Sequence, residues 1–425
     1  MTMRVRTVLM LIVALAMMGL ASCGHYTCAA GFGASTCTPS STGLGGGGTT
    51  GSATAAFVFV ADPTGAVTTG TIDGYTLNTT ASTFGPTPSY TAPTTPLSDG
   101  GVGMVVAQEK YLYTGFGSSD QIYGWSISST GGLTALTGSP YSASFMSLVP
   151  SASGTQSVIT NPAGTLLFFS AFGGEVYVYQ IGTGGALTPV TGSPFSAGFS
   201  GNLATDGLGK YLYVTDTEAG THTGSQIAAY AIGSTGALTV VPGSPFAFPM
   251  WQVQGDPTGD FLIGTTGQSA LFNGTDNDSL YVFSITQSGS SAGAIAAVSG
   301  SPFTTAYSPL SIAVQSNTGG SLVYSFGLTD SGGVQAFSPV EGYSLGSSGA
   351  LSLASGSPFL SAALGDLGAL DQSGTFLFVY GGIIDSSTVT YQMGALDVGS
   401  GGALTQPTST LTLTNGGFFA VTDPQ

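Results

Sequence analysis

The stretch "TDTEAGTHTGS", Thr215 to Ser225, brings Asp216, Glu218 and His222 close together in the chain. It is the one place where a carboxylate pair and a histidine are near neighbours. An imidazole oriented by a carboxylate can take a proton from water, which is the chemistry that opens a lactone or an ester. The same residues also suit a solvated loop on an acidic protein. A second stretch, "FNGTDNDSLY", offers Asp276, Asn277 and Asp278. Close-set hard oxygen ligands suit Ca²⁺, and no other cofactor is called for. The glycine and terminal glutamate of an EF-hand are missing, and a plain Asn/Asp turn uses the same residues. G-x-S-x-G occurs at Gly289 to Gly293 and at Gly342 to Gly346. A nucleophile elbow needs a strand-to-helix turn followed by an acid and a histidine; no helical period surrounds these sites, and no histidine follows His222. G-x-G-x-x-G at Gly46 to Gly51 lacks the preceding strand that a phosphate loop requires.

Composition narrows the ligand further. The 425 residues are 42% hydrophobic and 6% charged, with 68 glycines. Four basic residues, Arg4, Arg6, Lys110 and Lys210, stand against 20 acidic ones. Nucleic acid is excluded as a partner, because phosphates are neutralised by Lys and Arg. Phosphorylated or multiply carboxylated ligands are disfavoured for the same reason.

The first 22 residues read as an export signal: Arg4 and Arg6 precede the apolar run Val8 to Leu20, too short to span a bilayer. Leu20-Ala21-Ser22-Cys23 resembles the bacterial lipobox, so Cys23 is the expected lipid attachment point and the mature chain would be anchored without spanning. The expected address is the bacterial cell envelope, outside the cytoplasm, with Gly24 permitting the outer membrane. Residues 23–54 read as a Gly/Ser/Thr-rich tether, within which Cys28 and Cys37 could form a local disulfide.

Residues 55–425 are repetitive. Gly-Ser-Pro recurs at Gly138, Gly192, Gly243, Gly300 and Gly356, at intervals of 54, 51, 57 and 56 residues. Ahead of each lies a Gly-x-(Leu/Ile) element such as "GALTPV" or "GALTVV". Each unit holds four short apolar runs between Gly-rich turns, the pattern of a propeller blade. The second run appears seven times: "FVFVA", "YLYTG", "LLFFS", "YLYVT", "FLIGT", "LVYSF" and "FLFVY". The first unit lacks its own first strand, and "GFFAVTDP" near the C-terminus has that strand's character. The reading is an all-β, seven-bladed β-propeller of four-stranded blades, closed by the C-terminal strand joining the first blade.

The motifs "GKYLYVTD", "GTFLFVY" and "DPTGDFL", each followed by a third strand and a turn such as "STGALT", resemble the lactonase family of seven-bladed propellers. That family includes 6-phosphogluconolactonase-like proteins and muconate cycloisomerases. The resemblance covers the propeller and implies basic or histidine residues at the channel mouth. No Arg follows Arg6 and His222 is the only His of the propeller, so no catalytic residue is carried over.

Five residues after each Gly-Ser-Pro proline stand Phe145, Phe199, Met250 (followed by Trp251), Tyr307 and Ala363. Phe145, Phe199, Trp251 and Tyr307 are candidates for a partial aromatic ring that stacks sugars or apolar ligands; they would equally plug the ring. Two functions follow. One is a membrane-tethered binding or scaffold module for a glycan, a peptide or an envelope protein. The other is a lactonase-like hydrolase acting on a neutral sugar lactone through Asp216, Glu218 and His222.

Overall fold

A strand covered on both faces reads as an unbroken apolar run, not an alternation. "YLYVT" and "LLFFS" are such runs, and both are buried along their full length. The computed structural model describes residues 55–61, 71–80, 83–86, 90–91, 101–116, 121–142, 157–171, 174–216, 226–266, 279–317, 320–331, 334–359, 367–371, 373–385, 388–405, 410–413 and 418–423. These form seven antiparallel sheets arranged as a seven-bladed β-propeller.

From blade 1 to blade 7 the innermost strands are Phe418–Val421, Gly101–Ala107, Ser157–Thr160, Leu203–Thr205, Gln252–Gly255, Ser308–Asn317 and Leu367–Leu370. The C-terminal strand therefore completes blade 1, pairing Val421 with Val58 and Phe418 with Ala61. Thr422 secures the joint: its N–H donates to Phe57 O, and its Oγ1 accepts from Phe57 N–H, both at 2.9 Å. Each blade continues outward to second strands such as Tyr211–Thr215 and third strands such as Ile227–Ile232.

Turns between first and second strands share one face of the ring, here the turn face. Second-to-third loops and blade-to-blade crossings share the opposite, loop face. The turns are pinned by short acids: Asp206 Oδ1 accepts from the N–H of Lys210 (2.6 Å) and Tyr211 (2.7 Å), and Asp256 Oδ1 from Phe261 N–H (2.8 Å). On the loop face, blades 6 and 7 carry the longest second strands, Gly320–Ser331 and Phe376–Asp385. Each folds back as a hairpin onto Val334–Phe337 and Thr388–Val398 respectively.

Gly-Ser-Pro divides the outer edge of its blade. In blade 2, Leu133–Ala135 pairs with one end of the third strand and Tyr141–Ser142 with the other. The gap between them is filled by the motif's serine. Ser139, Ser193, Ser244, Ser301 and Ser357 accept from the third-strand N–H groups of Gly124, Val178, Ala229, Val282 and Gly342, at 2.8–3.0 Å. All five Ser-Pro bonds are cis. The aromatic residue after Pro packs into the core shared with the next blade, as Tyr141, Phe195, Phe246 and Phe303 show. Ser244→Ala would leave the Ala229 N–H without its acceptor, and a loss of about 1–2 kcal/mol in urea unfolding is expected. An unchanged midpoint would show that the hydroxyl is incidental.

The apolar interior comprises seven clusters among the described residues, one at each seam between blades. The glycine of the "STG"-type turn makes this approach close. Gly185, at φ +80°, lies under the Tyr111 ring of the preceding blade; a Cβ there would stand 2.6 Å from Tyr111 Cδ1. Tyrosines also bridge seams. The hydroxyls of Tyr113, Tyr213 and Tyr324 donate to the carbonyls of Gly185, Gly293 and Gly402 in the next blade, at 2.6, 3.1 and 3.0 Å. Burial raises all three phenols well above the ordinary range, so they remain donors.

Candidate ligand-binding face

A propeller's innermost strands present an unpaired edge to the axis, and those backbone groups need partners. Here the side chains of neighbouring blades supply them. Gln252 Oε1 accepts from Ile312 N–H at 3.0 Å, and Gln254 Oε1 from Val314 N–H at 2.9 Å. Ser157 Oγ accepts from Leu203 N–H at 3.3 Å. Hydroxyls ending the second strands latch onto the next blade where its innermost strand begins. Ser170 Oγ donates to Gly201 O at 2.7 Å, Thr215 Oγ1 to Trp251 O at 2.9 Å, and Thr265 Oγ1 to Pro309 O. The described wall at the loop face is thus neutral and rich in hydroxyl and amide groups.

Asn202 stands at the same level. Its Nδ2 donates to Trp251 O at 2.8 Å, while its buried Oδ1 has no hydrogen-bond partner among the described residues. Glu341 is 2% exposed and pins the crossing into blade 6: its Oε1 accepts from Ala306 N–H at 3.1 Å, directly beside Tyr307. Burial, followed by the neighbouring Glu341 charge, raises the Tyr343 phenol. Sequence reading did not find these residues. The alternating Gln-Val-Gln of an innermost strand was the available signal.

The candidate residues fall as follows. Asp216 directly follows the second strand of blade 4, half-buried, with its N–H donating to Gln226 O at 2.9 Å. Glu218 and His222 lie outside the described residues, as do Asp276, Asn277, Asp278, Phe145, Ala363, Cys23, Cys28 and Cys37. Among the described residues no group of three His, Cys, Asp or Glu side chains could hold a metal. Phe199 is 6% exposed and spends its ring in the seam between blades 3 and 4. Met250 is likewise in the seam between blades 4 and 5. Trp251 is 8% exposed, and Tyr307 is half-buried. Of the expected aromatic ring, these last two stand beside the polar wall. Lys110 and Lys210 are exposed on turns of the opposite face.

No protein-family model and no curated protein sequence matches the chain. Solved structures do. A "putative 6-phosphogluconolactonase" of Bacteroides fragilis superposes with a TM-score of 0.62 at 15% identity, over 89% of this chain and all (100%) of that one. A Lactobacillus plantarum protein gives a TM-score of 0.57 at 15% identity, over 87% of this chain and 99% of that one. A functionally unknown protein of Desulfotomaculum acetoxidans gives 0.55 at 13% identity, over 87% and 99%. At such identities the likeness is one of architecture: the chain has the seven-bladed propeller fold of the Bacteroides fragilis protein.

Proposed function

We propose that the chain is a membrane-tethered, extracytoplasmic binding module that holds a neutral, hydroxyl-rich ligand, a glycan, at its loop face. One observation carries this reading: the separation of positive charge from the candidate mouth. Lys110 and Lys210 stand on the turn face, whereas Ser157, Asn202, Gln252 and Ser308 line the upper ends of innermost strands. Neutral donors and acceptors beside Trp251 and Tyr307 match sugar hydroxyls and sugar ring faces. A phosphorylated ligand would need the cations that the described part of this face lacks. The export signal over residues 1–22, lipidation of Cys23 and the tether over residues 23–54 belong to the same proposal. Ala55 opens a second strand at the turn face, so a tether leaving from there would turn the loop face outward.

The chain has two tryptophans. Trp125 is 1% exposed in the seam between blades 1 and 2, so a ligand at the loop face reaches only Trp251. Titration of the mature chain with neutral oligosaccharides is expected to shift its tryptophan emission, and Trp251→Phe should abolish the shift. A glycan panel that gives neither emission change nor heat of binding would sink the reading.

The likeness to the Bacteroides fragilis protein and the position of Asp216 favour a second reading, a lactonase-like hydrolase for neutral sugar lactones. Acid release from such a panel would support it, and turnover that survives His222→Ala would rule out the Asp216–His222 mechanism.

A further inference from the structure

Three acidic residues come together where the ring closes, on the turn face, away from the candidate ligand wall. Glu109 lies in the turn between the first and second strands of blade 2. It and Gln108 adopt positive φ, 55° and 53°, a conformation that presents the glutamate toward the closure. Asp423 follows the closing strand of blade 1, and Asp371 opens the corresponding turn of blade 7. Hydrogen bonds connect them in series. Asp423 N–H donates to Glu109 Oε2 at 2.7 Å, across 314 residues of sequence. Ser373 N–H donates to Asp423 Oδ1 at 2.7 Å, and Ser373 Oγ–H donates to Asp371 Oδ2. Asp371 Oδ1 accepts from Phe376 N–H at 2.7 Å, and Asp371 is 0% exposed.

Among the described residues, Glu109 faces the Asp371 carboxyl group of blade 7 and the main-chain N–H of Asp423 of blade 1, while the Asp423 carboxylate turns to Ser373 N–H. Lys110, next in the chain, is exposed to solvent. Two buried carboxyl groups set against each other, Glu109 and Asp371, cannot both ionise at low cost.

We propose that this seam is a proton-operated clasp, which binds blades 7, 1 and 2 most tightly when Glu109 and Asp371 are protonated and loosens as they ionise. Burial pushes Glu109 up to about 7; the Asp423 N–H opposes the rise and the Asp371 charge adds to it. Burial pushes Asp371 up to about 6, against the hydrogen bonds from Ser373 and Phe376. Both values lie above those of an unfolded chain, so the folded state holds extra protons. That contribution to stability is complete below about pH 4 and is lost as pH rises through 6 and then 7.

The test is calorimetric unfolding of the mature chain across this range, with Glu109→Gln and, as control, Asp260→Asn. Asp260 is an exposed carboxylate on another turn of the same face, and each substitution removes one negative charge. The native chain is expected to melt roughly 5 °C higher near pH 5 than near pH 8. Glu109→Gln, whose amide oxygen can still accept from Asp423 N–H, should remove about half of that difference by holding the high-pH value up. Asp260→Asn should leave it in place. Equal flattening by both variants would assign the effect to overall charge and overturn the clasp. Should the Gln variant fail to fold, the native chain decides alone. Near pH 6 ordinary carboxylates are ionised in both states, so unfolding should release about one proton, read from transition heats in buffers of different ionisation enthalpy. Zero release, or uptake, would overturn it.

Discussion

Deleting residues 418–425 is expected to abolish the folded monomer. The deleted segment supplies the whole innermost strand of blade 1, with Phe419 at 0%, Ala420 at 2% and Val421 at 9% exposure. It serves two seams at once: Phe419 and Val421 pack toward blade 7, and Ala420 toward blade 2. Losing that burial, together with the Thr422–Phe57 pair of hydrogen bonds, would cost about 5–10 kcal/mol. A domain typically has about 5–15 kcal/mol in hand. The second strand of blade 1, Ala55–Ala61, would then expose a long apolar edge, and such edges recruit other chains. Size-exclusion chromatography and circular dichroism should therefore show aggregate and no cooperative melting. A truncated chain that elutes as a monomer with the parent Tm would show that closure is dispensable.

Gly368→Val is the single substitution expected to do most damage. Gly368 lies in the innermost strand of blade 7, with the Phe326 ring of blade 6 resting on it. A Cβ there would stand 1.9 Å from Phe326 Cζ and 2.4 Å from Cε1. Phe326 is 0% exposed inside the seam cluster, so its ring has nowhere to go. A destabilisation of about 3–5 kcal/mol follows, at the upper end for overpacking. The mechanism can be isolated with smaller changes. Gly368→Ala and Phe326→Leu should each destabilise alone, yet the pair should cost at least about 1 kcal/mol less than their sum, because shortening the ring makes room for the methyl. Additive costs in urea unfolding would refute steric conflict as the cause.

The blades were legible in the sequence because their second strands are continuous aromatic and β-branched runs, and because Gly-Ser-Pro repeats at a steady interval. The closing strand was legible too, since the first unit lacked one and "GFFAVTDP" supplied it. What could not be read was the wiring across seams. The Gly-Ser-Pro repeat showed in the sequence but the bond its serine makes did not: the partner N–H lies on the third strand, opposite a gap that exists only once the outer edge is divided. Phe199 and Tyr307 occupy the same position relative to their prolines, yet one is buried and the other half-buried. After Phe195 the chain hugs Gly174, with Ala197 N–H donating to Gly174 O at 2.7 Å, and this turns Phe199 into the core. The crossing at Thr305 to Tyr307 is pinned by Glu341 instead. Glu109 and Asp423 are distant in sequence, and only ring closure brings them together. Of the chemistry-bearing candidates, Asp216 has a described position at a strand end, while its expected partner His222 lies outside the described residues.

The tyrosine bridges carry a consequence of parity. Tyr113, Tyr213 and Tyr324 tie blade 2 to 3, 4 to 5 and 6 to 7. At the same position the other blades carry Phe59, Phe168, Ile263 and Phe378, all fully buried and without a hydroxyl. Alternation cannot run evenly round an odd ring, so one blade is left without a doublet. That blade is the one in which the two ends of the propeller meet, flanked by Phe378 on one side and Phe59 on the other. A bridge of another kind, from the Tyr230 hydroxyl to Ser196 O at 2.7 Å, ties blade 4 back to blade 3. Blade 1 is joined to its neighbours through Asp423, whose N–H donates to Glu109 of blade 2 and whose carboxylate accepts from Ser373 N–H of blade 7, so at its point of closure the ring is fastened by hydrogen bonds between acids and main-chain amides.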